Sequence, residues 1–364
     1  MVTGKLYRYF GTRFFKAVLG TFVGVVALAA MIDYVEMMRR GADWPHATAW
    51  LLAKISLLRV PQLTERIMPF AVLVGAMSCF VTLSRRMELV IARAAGVSAW
   101  QFVAPALVAA MLFGALATAI YNPIAAVLHE QSKRLEGEVL NQVPNSALQE
   151  KNSGFWVRQK NSDGAAIINA KSSREQGAQL GGVTMYTFDA DGSFQQRIEA
   201  KTATLQQGFW LLDDAHIYSI GKQPTEQTTY RIGTNLTLEQ VRESFATPET
   251  VPFWQLPFYI DKAERAGLVA AGYRLQYDLL LARPFLLAAM VLLGASVSLR
   301  FFRFGGVQKM VLSGISAGFL LFVLSKITED MSKAELLSPL MAAWVPVLVG
   351  SLTGFVALLY QEDG

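Results

Sequence analysis

Hydrophobic residues along this chain are concentrated in six long segments, arranged as two groups of three. A bilayer core of about 30 Å is crossed by about 20 apolar residues in helical conformation, with about 17 as a practical minimum. With a few flanking residues included, each segment reaches that length, so the pattern predicts six transmembrane helices. The apolar segments are Ala17–Ile32, Ile67–Leu83, Trp100–Ala126, Pro284–Leu299, Met310–Leu324 and Leu336–Tyr360.

Between the third and fourth segments the pattern changes to short alternating strands, from Gly154 to about Leu238. Val183–Phe188 alternates β-branched and aromatic residues, and the following Asp189–Gly192 is typical of a hairpin turn. Gln206–Gly208 marks a further turn. The pattern predicts an inserted all-β domain of the sandwich or jelly-roll type, or a similar curved sheet. It leaves open whether this domain holds a ligand groove or is a folded spacer.

These patterns divide the chain into three parts. Residues 1–135 are predicted to form an N-terminal membrane half, residues 136–262 the β-domain, and residues 263–364 a C-terminal membrane half. At the end of the β-domain, Thr247–Ile260 with its three prolines is predicted to be extended. Asp261–Arg274 is predicted to be a helix that leads into the fourth span.

Lysine and arginine residues in short loops predict the orientation in the membrane. They are concentrated before the first span, between the second and third, and between the fourth and fifth, which all fall on one side. Both termini are therefore predicted to be cytoplasmic and the β-domain to lie outside. The net charge of +5 comes largely from these residues and requires no nucleic acid. The basic residues concerned are Lys5, Arg8, Arg13, Lys16, Arg85, Arg86, Arg93, Arg300, Arg303 and Lys309.

Motifs for catalysis and metal binding are missing from the sequence. There is no Gly-x-x-x-x-Gly-Lys-Ser/Thr loop to cradle nucleotide phosphates and no Gly-x-Ser-x-Gly nucleophile elbow. His46, His129 and His216 are far apart, and none has a partner at metal-ligand spacing. The only cysteine, Cys79, lies within the second span, so the β-domain has no disulfides. The sequence favours a non-catalytic permease-like subunit or a membrane scaffold, without a cofactor of its own.

The connector between the second and third spans, Ser84–Gly96, is too apolar for a solvated loop. Its helix-forming composition, with Gly96 at the end, predicts a short helix. Such a helix could dock into a groove on a cytoplasmic partner, with Glu88 as the charged contact and the neighbouring aliphatic side chains as the buried area. It could instead lie flat at the membrane surface while its arginines reach the lipid headgroups.

The same connector carries part of a resemblance to a known family. Arg86–Ser98 resembles the coupling segment of the lipopolysaccharide-export permeases, the LptF/LptG (YjgP/YjgQ) family. No single motif is decisive, but the ordered set of matching segments covers essentially the whole chain. The other matching segments are Ile32–Ala42, Gly154–Trp156, Thr234–Thr237 and Gly314–Phe319.

The resemblance implies the permease subunit of an ABC exporter in a Gram-negative inner membrane, with a periplasmic β-domain. An LptF-like permease would pair with this chain above a dimer of the ATPase LptB, which binds the ATP and Mg²⁺. LptC and LptA-like β-domain proteins would carry the lipopolysaccharide onward. In the coupling segment, the resemblance implies that Glu88 contacts the ATPase, with Arg86, Leu89 and Ile91 beside it.

Basic residues at the outer ends of two spans are candidates for binding the lipid headgroup. Arg39 and Arg40 follow the first span, and Lys133 and Arg134 follow the third. Guanidinium groups bind phosphate through two hydrogen bonds at once, and lipopolysaccharide carries phosphates on its lipid A. The resemblance favours headgroup binding over simple anchoring at Arg39 and Arg40, and for the second pair both roles stay open.

Three further charged positions complete the candidate lipid site. Asp33 stands where better-known members of the family carry lysine, and it would repel phosphate unless it pairs with one of the first two arginines or a divalent ion. Arg283, inside the fourth span, is predicted to pair with Asp278 or to line the lipid cavity. The charged segment Leu51–Arg66 is predicted to follow the outer membrane surface, where it either lines the cavity entrance or is simply interfacial.

Two other functions stay open at this point. A membrane scaffold whose β-domain docks envelope proteins would need neither an ATPase nor Glu88. An intramembrane enzyme acting on lipids would need a polar residue essential for turnover, whereas Ser78 and Ser296 are hydroxyls of the kind that pack membrane helices.

Overall fold

The computed structural model describes residues 2–42, 48–141, 155–161, 164–174, 178–189, 193–219, 221, 223–234, 248–265, 270–302 and 307–362. Several predicted features lie outside these ranges: His46, the turn residues Ala190–Gly192, Gly154, Asn235–Thr237 and Arg303. The chain forms two compact units. One comprises Met1–Val139 together with Pro248–Gly364, and the other comprises Leu140–Thr247.

The first unit is helical, and six of its helices are long and apolar enough to cross a membrane. The first of them, α1, has 40 residues and, at 1.5 Å per residue, is about 60 Å long, roughly twice the thickness of a bilayer core. Helix α1 therefore extends well beyond the apolar segment Ala17–Ile32 that identifies it. The third span is formed by α4 and α5 together, and the described residues of this unit form nine α-helices. Their bounds are α1 Val2–Gly41, α2 Ala49–Arg85, α3 Glu88–Ala94, α4 Ala99–Leu116, α5 Asn122–Asn141, α6 Leu256–Arg265, α7 Ala271–Phe302, α8 Val307–Lys333 and α9 Pro339–Glu362.

The core of this unit lies where α1, α2, α4 and α7 meet, and its members include Phe14, Phe80 and Phe102. Glycines let the helix backbones come close. A β-carbon at Gly114 of α4 would lie 2.6 Å from the Cα of Pro284 in α7, far inside the sum of their radii. Because lipid is as apolar as the side chains, close packing at small residues is a main source of cohesion between membrane helices.

The segments next to two of the spans differ from the sequence expectation. Leu51–Arg66 is not a separate stretch ahead of the second span, since it belongs to the continuous helix α2, which accommodates Pro61 and Pro69 in its interior. The hydroxyls of Thr64 and Tyr121 both donate to the Pro61 carbonyl, and proline is tolerated in membrane helices where such side chains satisfy the backbone.

The described part of Thr247–Ile260 is not extended either. It forms two short 3₁₀ turns, Pro248–Thr250 and Phe253–Gln255, and then enters α6 at Leu256. Proline favours the first turn of a helix because its missing N–H has no intrahelical partner there. Pro257 is the second residue of α6 and therefore favours the start of this helix. The three nearby prolines had instead suggested an extended chain.

The second unit is a six-stranded antiparallel meander in which each strand pairs with the next. Side chains alternate between its faces, and one face buries a cluster that includes Ile168, Met185, Ile198 and Trp210. Gly208 turns the chain between β4 and β5 with a φ of +85°, as the sequence predicts. The predicted fold class, a six-helix membrane protein with an inserted all-β domain, is confirmed. The strands are β1 Phe155–Asn161, β2 Gly164–Arg174, β3 Gln179–Phe188, β4 Phe194–Gln206, β5 Phe209–Ser219 and β6 Thr225–Gly233.

Candidate functional site

The connector between α2 and α4 contains the short helix α3, which is set off by a sharp turn on each side. Met87, immediately before α3, has a φ of +60°, and Gly96, after it, has a φ of +81°. The next helix starts at Ser98, whose side chain forms a capping box with Gln101. These local features separate α3 from both neighbouring spans, so that it stands as an element of its own.

The two faces of α3 have different surroundings. Leu89 and Ala92 are buried, and Leu89 belongs to the core of the helical unit. Ile91 is 66% exposed and Met87 56% exposed, and Arg86 is also exposed. The prediction that Leu89 offers its side chain to a partner is therefore wrong, because that side chain already anchors α3 to its own chain. Ile91 and Arg86 remain available for docking.

Glu88 is half-buried at the start of α3 and is tied to the beginning of α1. The hydroxyl of Tyr9 donates to Oε2 of Glu88 at 3.0 Å. The guanidinium of Arg13, one turn further along α1, lies over the Tyr9 ring, 5.2 Å from its centroid. The first turns of α1 and the short helix α3 thus lie at the same end of the helical unit.

Arg39 and Arg40 are at the opposite end of α1, and both are exposed. Each pairs with Glu36 one turn earlier, Arg39 at 2.9 Å and Arg40 at 2.7 Å. Glu36 is the residue that the sequence analysis missed, although acids three and four positions before two arginines are the expected partners on a helix. The positive charge of this surface is therefore partly offset by Glu36, while each guanidinium keeps donors that face solvent.

Asp33 does not pair with Arg39 or Arg40, which is one of the two ways in which its charge was expected to be offset. Its side chain is buried and accepts a hydrogen bond from the Ser56 hydroxyl at 2.7 Å. Nε of Arg59 lies 3.8 Å from the other carboxylate oxygen. Asp33 points to α2 because it lies on the buried side of α1, whereas both arginines lie on the exposed side. Its charge is compensated within the bundle.

Lys133 and Arg134 are both exposed on α5. Arg134 pairs with Glu130 of the preceding turn at 2.5 Å. Ser132, between them and the bundle, is buried and donates to the Ile55 carbonyl at 3.2 Å. The serine thus fixes α5 against α2 and leaves the two basic side chains on the outside.

Arg283 pairs with Glu65 of α2 and not with the predicted Asp278. Five positions separate Asp278 and Arg283, a spacing that does not bring two side chains together on one helix face. The side chain of Arg283 is 15% exposed and that of Glu65 only 2%. The amide of Asn122 also donates to Oε1 of Glu65, at 2.9 Å. The buried carboxylate therefore has both a cationic and a neutral donor.

The polar contacts around this pair lie at a π-helical turn, Ala117–Tyr121, between α4 and α5. The wider turn directs Thr118 to the Leu280 carbonyl of α7 at 2.9 Å. It also leaves the Ala119 carbonyl to accept from the indole of Trp254, again at 2.9 Å. Such turns are often found where a helix carries function. Here the turn joins α4 and α5 to α7 and to the segment before α6.

Within the described residues, no group of three or more His, Cys, Asp or Glu side chains is placed to hold a metal ion. The charged groups described above instead form ion pairs and hydrogen bonds with other side chains of the helical unit. The arrangement defines a multi-pass membrane protein with a half-buried acid on a short connecting helix at one end and exposed arginines at the other.

Comparison with known proteins identifies the family. The model of the lipopolysaccharide export system permease LptF/LptG family matches residues 8–360, so the chain belongs to this family. It is 24% identical over 356 residues to the lipopolysaccharide export system permease protein LptG of Escherichia coli (strain K12), with 94% of each chain covered. It is also 24% identical to the protein of the same name from Haemophilus influenzae, covering 94% of this chain and 95% of that one. The resemblance drawn from the sequence motifs is confirmed.

Proposed function

We propose that this chain takes the place of LptG in an ABC exporter that extracts lipopolysaccharide from a Gram-negative inner membrane. An LptF-like permease pairs with it, and a dimer of an LptB-like ATPase binds ATP and Mg²⁺ below the pair. The chain itself is a non-catalytic permease subunit. The observation that carries this proposal, beyond the family match, is the build of α3, which is anchored by Leu89 and exposes Ile91.

A helix of this build fits a docking role better than a lipid-surface role. Tyr9 holds Glu88 in a defined position through a hydrogen bond. A carboxylate that is simply solvated requires no such bond. The exposed aliphatic side chain of Ile91 and the exposed Met87 provide apolar area next to that charge. A buried apolar contact beside one charged pair is typical of the central residues of protein interfaces.

The proposed orientation puts α3 in the cytoplasm, and both termini with it. The start of α1 carries lysines and arginines and lies at the same end as α3, in keeping with the positive-inside rule. The far end of α1, with Arg39 and Arg40, then faces the periplasm, and so does the inserted sheet. The sheet hands the lipid to LptC and LptA-like β-domain proteins.

The headgroup site proposed here is formed by Arg39, Arg40, Lys133 and Arg134. All four are exposed, with Arg39 and Arg40 in the last turn of α1 and Lys133 and Arg134 within α5. Their guanidinium and ammonium groups can donate to lipid A phosphates. Arg283, also a candidate from the sequence, is not placed in this site, because its guanidinium is committed to Glu65 inside the bundle.

The test of the proposed function is co-purification of the ATPase with the tagged chain in mild detergent. Glu88→Arg should lower recovery of the ATPase at least about tenfold, because reversing one partner of an interfacial charge pair costs about 2–5 kcal/mol. Glu335→Arg is the control, since Glu335 is an exposed acid in the turn between α8 and α9.

Normal ATPase recovery and normal lipopolysaccharide export by Glu88→Arg would contradict the coupling role. If the unmodified chain itself brings down periplasmic proteins but no ATPase, the scaffold function is supported instead.

A further inference from the structure

The hydroxyl of Tyr9 is placed so that it can fix the position of the Glu88 carboxylate while using only one of its two oxygens. It donates its one proton to Oε2 at 3.0 Å. A carboxylate has about four acceptor sites on its two oxygens, so one such bond leaves Oε1 open to a cation from a partner. Because a free glutamate side chain loses rotamer freedom when it is ordered, a carboxylate already ordered by Tyr9 docks with less entropic loss.

The Tyr9 side chain is itself held by its neighbours on α1. The Arg13 guanidinium lies over the ring, and Phe10 meets it edge-on with 5.8 Å between ring centroids. Phe10 is buried in the same core cluster as Leu89 of α3. The start of α1 and the coupling helix therefore share one apolar core, and the hydrogen bond from Tyr9 to Glu88 links them directly.

The helix that carries Tyr9 also carries the arginines of the proposed headgroup site. Helix α1 runs without interruption from Val2 to Gly41. At 1.5 Å per residue, about 45 Å separates Tyr9 from Arg39. A displacement of Glu88 that is passed to Tyr9 can thus move the far end of α1 through one continuous helix.

We infer that Tyr9 is a positioning residue for Glu88 and that, through this contact, α1 receives the motion that the ATPase imposes on α3. The inference rests on the proposed function and deepens it, because it names a second element, besides the spans flanking α3, that takes up the motion. Through this hydrogen bond, Glu88 of α3 is also connected to α1.

The test uses the intact complex in lipid nanodiscs and measures lipopolysaccharide released per ATP hydrolysed. Tyr9→Phe removes only the hydroxyl and keeps the ring that contacts Phe10 and Arg13. We expect this ratio to fall about fivefold, the change that corresponds to losing one hydrogen bond of average net strength at an exposed site, while the ATPase still co-purifies. Tyr7→Phe is the matched control, because Tyr7 is an exposed tyrosine two residues away on the same helix, and it should leave the ratio unchanged.

A second pair of variants separates positioning from a merely structural effect. In a Glu88→Gln background, Tyr9→Phe should change the ratio by less than about twofold, since the charged acceptor is already gone. If Tyr9→Phe acts equally in both backgrounds, or if it behaves like Tyr7→Phe in the unmodified complex, the positioning role is refuted and the proposed function stands. If the unmodified chain recruits no ATPase, the proposed function fails and the inference fails with it.

Discussion

Loss of the Arg283 side chain should destabilise the helical unit more than the loss of any exposed charged side chain. Arg283 is the cationic partner of Glu65, whose side chain is 2% exposed and lies between α2, α5 and α7. In Arg283→Met, a residue of similar length but without charge takes its place. Glu65 then keeps only the amide of Asn122, which donates to Oε1 at 2.9 Å.

The size of the effect follows from leaving one charge unpaired. Breaking a buried ion pair by removing one partner typically costs about 3–5 kcal/mol, and the remaining Asn122 hydrogen bond offsets about 1 kcal/mol of that. We therefore expect a loss of about 3 kcal/mol in the free energy of unfolding. Combining Arg283→Met with Glu65→Gln removes both charges and keeps an acceptor for Asn122, so the double variant should recover most of the loss.

The assay is thermal unfolding of the detergent-solubilised chain, followed by circular dichroism at a helix-sensitive wavelength. At about 2–4 °C per kcal/mol for a unit of this size, Arg283→Met should lower the Tm by about 10 °C. Arg265→Met is the control, because its pair with Asp261 is exposed and such pairs contribute less than about 1 kcal/mol. A single variant as stable as the control, or a double variant no more stable than the single one, would refute the assignment of Glu65 as a buried charge in need of its partner.

Two further predictions concern helix packing and the headgroup surface. Gly114→Ala should lower the stability of the helical unit by about 1–3 kcal/mol, because its new methyl group would overlap the backbone of α7. Gly20→Ala, where nothing lies within 4 Å, should leave the Tm unchanged or raise it slightly in the same thermal assay, because alanine favours helix more than glycine does. Replacing Arg39 and Arg40 together by Gln should reduce co-purified lipopolysaccharide, whereas Glu36→Gln, which frees both guanidiniums, should increase it. Equal lipid recovery from both variants, measured by mass spectrometry, would remove this surface from the binding site.

The sequence was sufficient to predict the membrane architecture because the bilayer imposes its own length rule on each span. An apolar segment such as Ile67–Leu83 identifies a crossing helix whatever it packs against. The strands were predictable for a similar reason, since alternation and turn residues such as Gly208 are local properties of the chain. The short helix at Glu88–Ala94 could also be inferred locally, from its composition and from Gly96.

The partners of the charged residues could not be predicted in the same way. Asp33 meets Ser56 and Arg59, and Arg283 meets Glu65, through contacts between helices that are distant in sequence. Which side of a helix faces its neighbours depends on the packing of the whole bundle, and α1 has apolar residues on every side. The one missed partner with a local signal was Glu36, which lies within one turn of both arginines that it binds.

Burial distinguishes charged residues that pair inside the bundle from charged residues that are exposed, a distinction that the sequence alone does not make. Asp33 and Glu65 are enclosed and neutralised by basic residues of α2 and α7, as the cost of a lone charge among membrane helices requires. Arg39, Arg40 and the exposed side of α3 carry no such enclosure, so their charges and apolar area remain accessible to a ligand or a partner. The polar groups that the bundle leaves exposed at its two ends are therefore the first positions at which to test binding of a partner or a ligand. The enclosed pairs are expected to contribute to the stability of the bundle.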